Sequence, residues 1–521
     1  MAASVDDYLN DPETTEAEKA LIDACREGRP CLLNGGKLPE EGATEPRVRA
    51  ALIRLLALEA TSLHEKGVWL DGAVITGALD LSFARCRGGL FLSNCRFAEL
   101  PQMVQAELAQ LSFQGSHLPG LFAQGAKLAG SLFLRGITAT RTVEVTGAQI
   151  GGQLDCVGAT LNGGGGMALD AQGAKVAESL FLSGVTATGT VDVNGAQIGG
   201  HFDCDGATLN GGGGDALNGQ SLRVHDAFLF RKVKAVTGRV DLASAEVRDL
   251  VDDAESWRKC SGLILDGFTY DRFPGDTSPR TFATRKAWLE MGSRFGGEFF
   301  PQPYTQFAKV MRAAGHVAEA RKALVERDRL LFAEAETADR AALGRALSGD
   351  QAARADGGKI WLRLQGRRLW AWLTHRVVGY GHMPERALRF VLGFWLVGTV
   401  VYFIAYRAGL MVPNSDVIMV SAEWLEAVRA DRLAPTALWT GDAIRASAHY
   451  ETFFSAIYAL DLFLPVVDLG QEKAWAVTTP VPFGWGWWLR VASFLYQIAG
   501  WVVISLGLAA VTGLVQRSGP E

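Results

Sequence analysis

The chain has 521 residues, with 51 Lys+Arg against 56 Asp+Glu and a formal charge of −5 at pH 7. At roughly 100–200 residues per domain this length predicts three or four structural units. The slight acidity excludes the basic footprint of a nucleic-acid-binding protein, and 48% hydrophobic residues exclude global disorder. Two residue types are unevenly spread: 31 of the 60 glycines lie between residues 65 and 240, and 11 of the 14 tryptophans come after residue 360. Two physical regimes therefore share one chain.

The cysteines, Cys25, Cys31, Cys86, Cys95, Cys156, Cys204 and Cys260, contain no C-x-x-C pair, so a zinc ribbon or thioredoxin-like motif is not available. An odd count is no disulfide framework and suits a reducing compartment. The first residues, MAASVDDYLNDPETTEAEKA, are acidic and lack the sections of a signal peptide, so a cytoplasmic start is expected.

In chain order, 14–27 and 46–60 read as helices, the second with Pro46 in its first turn and apolar Val48, Leu52, Leu55 and Leu56. Residues 1–64 are predicted as a helical cap over the open edge of a repeat region. From 65 to 272 a short beat takes over. Residues 126–173 and 174–221 align without gaps at 34 of 48 identical positions. Apolar or small residues recur at Ala126, Leu132, Ile137, Val143, Ala148, Leu154 and Ala159, each with another two residues later: Leu128, Leu134, Ala139, Val145, Ile150, Cys156 and Leu161. An i, i+2 pair marks a very short strand with one face inward. Steps of five and six residues give four short sides and about 22 residues per coil, with Gly163–Gly166 and Gly211–Gly214 as insertions. The expectation is a β-solenoid, in which each coil buries its apolar row by stacking on its neighbours.

This beat resembles the pentapeptide-repeat family and related quadrilateral β-helices. The resemblance implies a right-handed, four-sided β-helix acting as a rod-like scaffold or a binding surface for a protein partner or ligand. Cys86, Cys156 and Cys204 are expected inward as small hydrophobes. The two Gly runs read as bulged corners, because no helix comes after them and no Lys-Ser/Thr closes a phosphate loop. Asp155 and Asp203 are expected on the outer face, solvated.

Residues 273–345 read as helical. Pro303–Phe332 has a turn at Gly315 and His316, with Tyr304, Phe307, Val310, Met311, Ala318, Ala320, Ala323 and Leu324 at helical spacing. It looks like one tetratricopeptide-type hairpin, which must dock on the solenoid's end or on a partner. Residues 346–385 are expected to hold a linker around Gly349–Gly358 and then a basic amphipathic helix. There Trp361, Trp370 and Trp372 alternate with Arg363, Arg367 and Arg368, a composition that lies in the headgroup plane of a lipid bilayer.

Residues 386–521 read as a membrane domain. Phe390–Tyr406 and Val491–Val515 carry no charge over 17 and 25 residues, enough to cross a bilayer. Trp485, Trp487, Trp488, Tyr402 and Tyr406 are placed as interfacial aromatics, and Ala509 with Gly513 as a small-residue face for oligomer contact. Residues 359–389 hold seven Lys/Arg and one acid, whereas 407–490 hold six bases and nine acids. That asymmetry predicts the inner (cytoplasmic) membrane, with both termini cytoplasmic. Between the spans, 450–470 reads as a re-entrant loop, a short helix turning at Pro465 and leaving through Asp468 and Gly470, with Asp461 as its one intramembrane charge.

The order span, short helix, loop, span resembles the two-transmembrane pore module of potassium and related cation channels. It implies a homo-oligomer with Asp461, Pro465, Asp468 and Gly470 near the pore. The filter motif of potassium channels is replaced by Pro465–Gly470, and a carboxylate ring would favour cations instead. No nucleotide loop, metalloprotease motif or nucleophile elbow occurs, so no catalytic residue, cofactor or metal is expected. The alternative is a membrane-anchored solenoid scaffold without transport.

Overall fold

The computed structural model describes residues 4–58, 63–86, 88–275, 278–348, 351–440, 447–464, 467–479 and 481–514, with backbone alone for 351–356. The chain divides into two compact units, 1–323 and 324–521.

The first unit opens with α1 (Val5–Asn10) and α2 (Glu16–Glu27), each started by a reciprocal capping box, Ser4 with Asp7 and Thr15 with Glu18. The expected helix over 46–60 starts later: α3 spans Ala50–Leu58 of the described residues, and Arg47–Arg49 is instead a strand paired in parallel with Val74–Thr76. Pro46 therefore lies outside the helix. Glu18 is fully buried and takes Arg49 in charge-assisted bonds of 2.8 and 2.9 Å, tying α2 to this strand. Cys31–Leu32 likewise pairs with Leu70–Asp71. The N-terminal segment thus covers the solenoid's edge with helices and also supplies strands to it.

The solenoid itself is as predicted. One inward column runs Val68, Leu90, Leu111, Leu132, Leu154, Leu180, Phe202, Phe228 and Leu250, every neighbour in parallel register. Partners such as Leu132 and Leu154 are one 22-residue coil apart, giving a β-solenoid of about nine turns. The coil holding Gly163–Gly166 is longer by these four residues, which sit at a register break between Asn162 and Met167. Their corner is closed by Asn162, whose side-chain oxygen accepts from the Gly164 amide at 3.0 Å. All fourteen inward positions read from the first copy of the repeat are buried.

Two expectations fail locally. Cys86 is only half-buried. Asp155 is not solvated: it is 1% exposed and takes Arg135 from the preceding coil at 2.8 Å. Asp203 is half-buried and accepts from the Ser183 hydroxyl at 2.7 Å. Inter-coil stacking puts a partner one coil away on top of each carboxylate, which a single-strand reading does not contain.

At the other end stand α4 (Ala254–Arg258), α5 (Phe282–Gly292), α6 (Gln302–Ala313) and the start of α7 (Val317–Ser348). Arg285 and Asp252, 1% and 0% exposed, are bonded at 2.8 Å, and the Trp257 indole donates to the same carboxylate at 2.6 Å. Helix α6, the first half of the hairpin, docks on the last strand of the solenoid. Gln302 and Gln306 donate to the carbonyls of Phe268 and Tyr270 at 3.1 and 2.6 Å, while Tyr304, Phe307, Val310 and Met311 are buried. Ala318 is exposed, off that face.

In the second unit, α8 (Gln351–Val378) replaces most of the expected linker. A Cβ added at Gly357 would stand at ordinary van der Waals distance from Leu343, Ala346 and Leu347 of α7. Arg367 and Arg368 bond Asp339 and Glu336 of α7 at 3.1 and 2.8 Å. Pairing of the helices outweighs the roughly 1 kcal/mol that a helical glycine costs. After a turn at Gly379–Gly381 come α9 (Glu385–Arg407), α10 (Asp416–Met419), α11 (Ala422–Ala430), α12 (Pro435–Trp439), α13 (Ser455–Phe463), α14 (Gln471–Ala474) and α15 (Trp485–Val511). Helices α9 and α15, 23 and 27 residues long, are long and apolar enough to cross a membrane. Their outer faces are bare: Leu396, Val400 and Phe403 on one, Phe494, Ile498 and Leu508 on the other, are exposed.

Candidate functional site

The segment between the two long apolar helices is built on α13. At nine residues, about 13–14 Å at 1.5 Å per residue, it is too short to cross. Both long helices make room for it with glycine. A Cβ on Gly500 would lie 2.1 Å from the Phe463 carbonyl oxygen, and one on Gly398 would lie 3.1 Å from the Ala459 side chain. Polar atoms then fix it. The Trp395 indole of α9 donates to the Ala456 carbonyl at 2.9 Å, and the Tyr496 hydroxyl of α15 lies 3.1 Å from the carbonyls of both Phe394 and Ala459. Phe394 stacks on Phe463 at 5.5 Å, and Tyr402 meets Tyr458 edge-on at 4.8 Å. Tyr402 therefore faces inward: it is 2% exposed and its hydroxyl donates to Ser493 at 2.9 Å.

The chain after α13 folds back onto it. Asp461 is 5% exposed, and its two carboxylate oxygens accept from the backbone amides of Leu469 and Glu472 at 2.7 and 2.8 Å. A buried carboxylate that accepts backbone N–H bonds is satisfied without a counter-cation. Gly470 turns the chain at φ +82°, a left-handed value suited to glycine, and its amide donates to Asp468 at 3.0 Å. Gln471 is 2% exposed and bonds Glu451, Thr452 and Phe454 at 2.9–3.0 Å. Asp468 points outward and pairs with Lys473. The two aspartates are thus separated: Asp461 braces the loop from behind, and Asp468 lies on its exposed side. Pro465 lies outside the described residues.

The aromatic positions divide likewise. Trp485 and Trp488 are exposed and Trp487 is half-buried against Trp488 at 4.6 Å. On α8, Trp361, Arg363, Trp370 and Trp372 are exposed, whereas Arg367 and Arg368 are spent on the ion pairs with α7. Helix α15 ends at Val511, so Gly513 is no part of a helical face with Ala509. It is left-handed at φ +76° and its amide bonds the Ala510 carbonyl, as a helix-ending glycine does.

One part of the site is not anticipated by the sequence reading. Met411–Pro413 and Trp475–Val477 pair antiparallel and close the inter-span segment into a small core of Trp424, Trp439, Tyr450, Phe453 and Trp475. The excess of tryptophan late in the chain is its one signal, and an aromatic belt at a bilayer interface produces the same excess.

Among the described residues no group of three metal-ligating side chains occurs. On the solenoid, Glu107, Lys127, Gln149, Lys175 and Gln197 stand one coil apart beside a shallow floor of Ala109, Ala129, Gly151, Ala177 and Gly199. Compared with models of protein families the chain matches none, and compared with curated proteins it matches none either.

Proposed function

We propose that the second unit is the pore-forming module of an oligomeric, cation-conducting membrane protein, with the β-solenoid as its cytoplasmic sensor or partner-binding domain. The observation that carries this reading is α13, seated between α9 and α15 with its return loop bonded to Asp461. Irregular backbone at membrane depth is stable only where it is buried in protein or lines a cavity, and a braced loop between two spans is how such a backbone can face an axis. The charge asymmetry on either side of the first span supports cytoplasmic termini in the inner membrane. The reading includes no catalytic residue, cofactor, metal or nucleic acid.

A second reading, a membrane-anchored solenoid without transport, is favoured by one observation: Lys473 pairs with Asp468 and offsets its charge. The two are separated by cation flux through liposomes containing the purified full chain. If the loop lines a pore, Lys473→Gln unmasks the carboxylate and raises cation preference, while Asp468→Asn lowers it, both at unchanged oligomer size. Intact protein that passes no cation under any voltage, pH or ligand tried replaces the channel with the anchored scaffold.

A further inference from the structure

The turn from α8 into the first span is strained and tied down. Gly379, Tyr380 and Gly381 stand in succession at φ +53°, +54° and +89°, and Tyr380 is the one of the three that carries a Cβ. A left-handed residue of this kind persists only when its surroundings hold it. Here the Tyr380 ring, 6% exposed, stacks on Phe332 of α7 at 5.2 Å with the planes 17° apart, and lies 5.3 Å from the His375 ring of α8. Two residues on, His382 Nε2 is 2.8 Å from Asp328 Oδ2 of α7, the side chains 6% and 14% exposed. The entry to α9 is thus joined to α7 twice, by a stack and by a polar bond.

The two histidines sit in opposite electrostatic settings. His382 faces the Asp328 carboxylate, to which its ring nitrogen is bonded. His375 faces cations. Its buried Nδ1 has no hydrogen-bond partner, Arg386 of α9 donates to its carbonyl at 3.3 Å, and Arg376 of α8 and Arg329 of α7 act on it too. The acids nearby are engaged: Glu326 pairs with Arg329 at 2.8 Å, and Asp328 holds His382 and Arg327. Burial first, then Arg386, Arg376 and Arg329, hold the His375 pKa below the ordinary 6.5, with Glu326 opposing.

We propose that the Gly379–His382 elbow is an acid-released latch on the first span: a proton on His375 frees Tyr380 from its seat against Phe332, while His382–Asp328 stays bonded as the pivot. The latch acts on α9 whether that helix lines a pore or serves as an anchor, so its test stands apart from any flux measurement. The sign comes from linkage. The latched surroundings, burial first and then the three arginines, hold His375 below its ordinary 6.5. The latched form is therefore fully favoured above 6.5 and loses stability as pH falls through 6.5 towards the latched value.

The test is amide hydrogen exchange of the full chain in lipid nanodiscs, read by mass spectrometry on peptides covering 375–390 and corrected for intrinsic exchange. Between about pH 7.5 and pH 5 the wild type should gain clearly in exchange, in the direction set by the lowered His375 pKa. His375→Gln should stay slow at both values, and Arg386→Gln, which removes one of the opposing charges, should shrink the step. Peptides from α13 should show no step. A wild type without a step, a step that survives His375→Gln, or one unchanged by Arg386→Gln overturns the latch.

Discussion

Asp461 and Asp468 lie on one short segment and have opposite environments. Two backbone amides converge on Asp461, so Asp461→Asn turns an N–H₂ towards one of them and should cost about 1–3 kcal/mol. Asp468 is exposed beside Lys473, where solvent screens the pair, and Asp468→Asn should leave the unfolding midpoint close to that of the wild type. Thermal unfolding of the two variants in the same detergent measures the contrast. The sequence marks Asp461 as an intramembrane charge needing a partner, yet that partner is backbone from beyond the turn, and no side-chain pattern encodes such a fold-back. The cysteines are more legible. Cys156 and Cys204 are fully buried, and burial pushes both thiols up, so a thiol reagent should label them only on unfolding. Half-buried Cys86, which burial raises to about 11 against the opposing charge of Arg54, should react first in the native protein.

At the scale of elements, the two long apolar helices are legible because length and apolarity suffice to define them, whereas their packing with α13 depends on single glycines. Gly500→Ala would drive a Cβ into the Phe463 carbonyl, and backbone cannot rotate away, so α13 must shift. A loss of about 1–3 kcal/mol is expected. A methyl group added at Gly393, within α9, would meet nothing within 4 Å, and Gly393→Ala should be neutral or stabilising by up to about 1 kcal/mol. Equal effects of the two in a denaturant or thermal series would mean that α13 is not seated on α15. The glycines at 357 and 358 mislead in the opposite direction. They read as a linker because propensity is local, while the ion pairs that hold α8 on α7, from Arg367 and Arg368, come from residues some thirty positions apart in sequence.

For the whole molecule, the boundary between the two units falls after Ala323. A fragment of residues 1–323 carries its own stacked core and should be soluble and rich in β-structure by circular dichroism; an insoluble or mainly helical fragment would contradict the assignment. The solenoid is the most legible part of the chain because its period is written in every coil. The polar partners between coils, Arg135 over Asp155 and Ser183 over Asp203, are not, since they depend on which residues stacking brings together.

The near-identity of 126–173 and 174–221 has a consequence for how this chain can change length. The second copy occupies two complete coils, and position 173 is equivalent to position 221. Excising 174–221 would join Gly173 to Leu222 with the stagger intact. Arg223, now stacked on Gln197, would come to rest on Gln149, and Phe228, now on Phe202, would rest on Leu154. Neighbours would be exchanged for their own duplicates. The molecule is thus built so that a recombination event can shorten or lengthen it by two turns at a stroke, a telescoping that leaves both ends untouched.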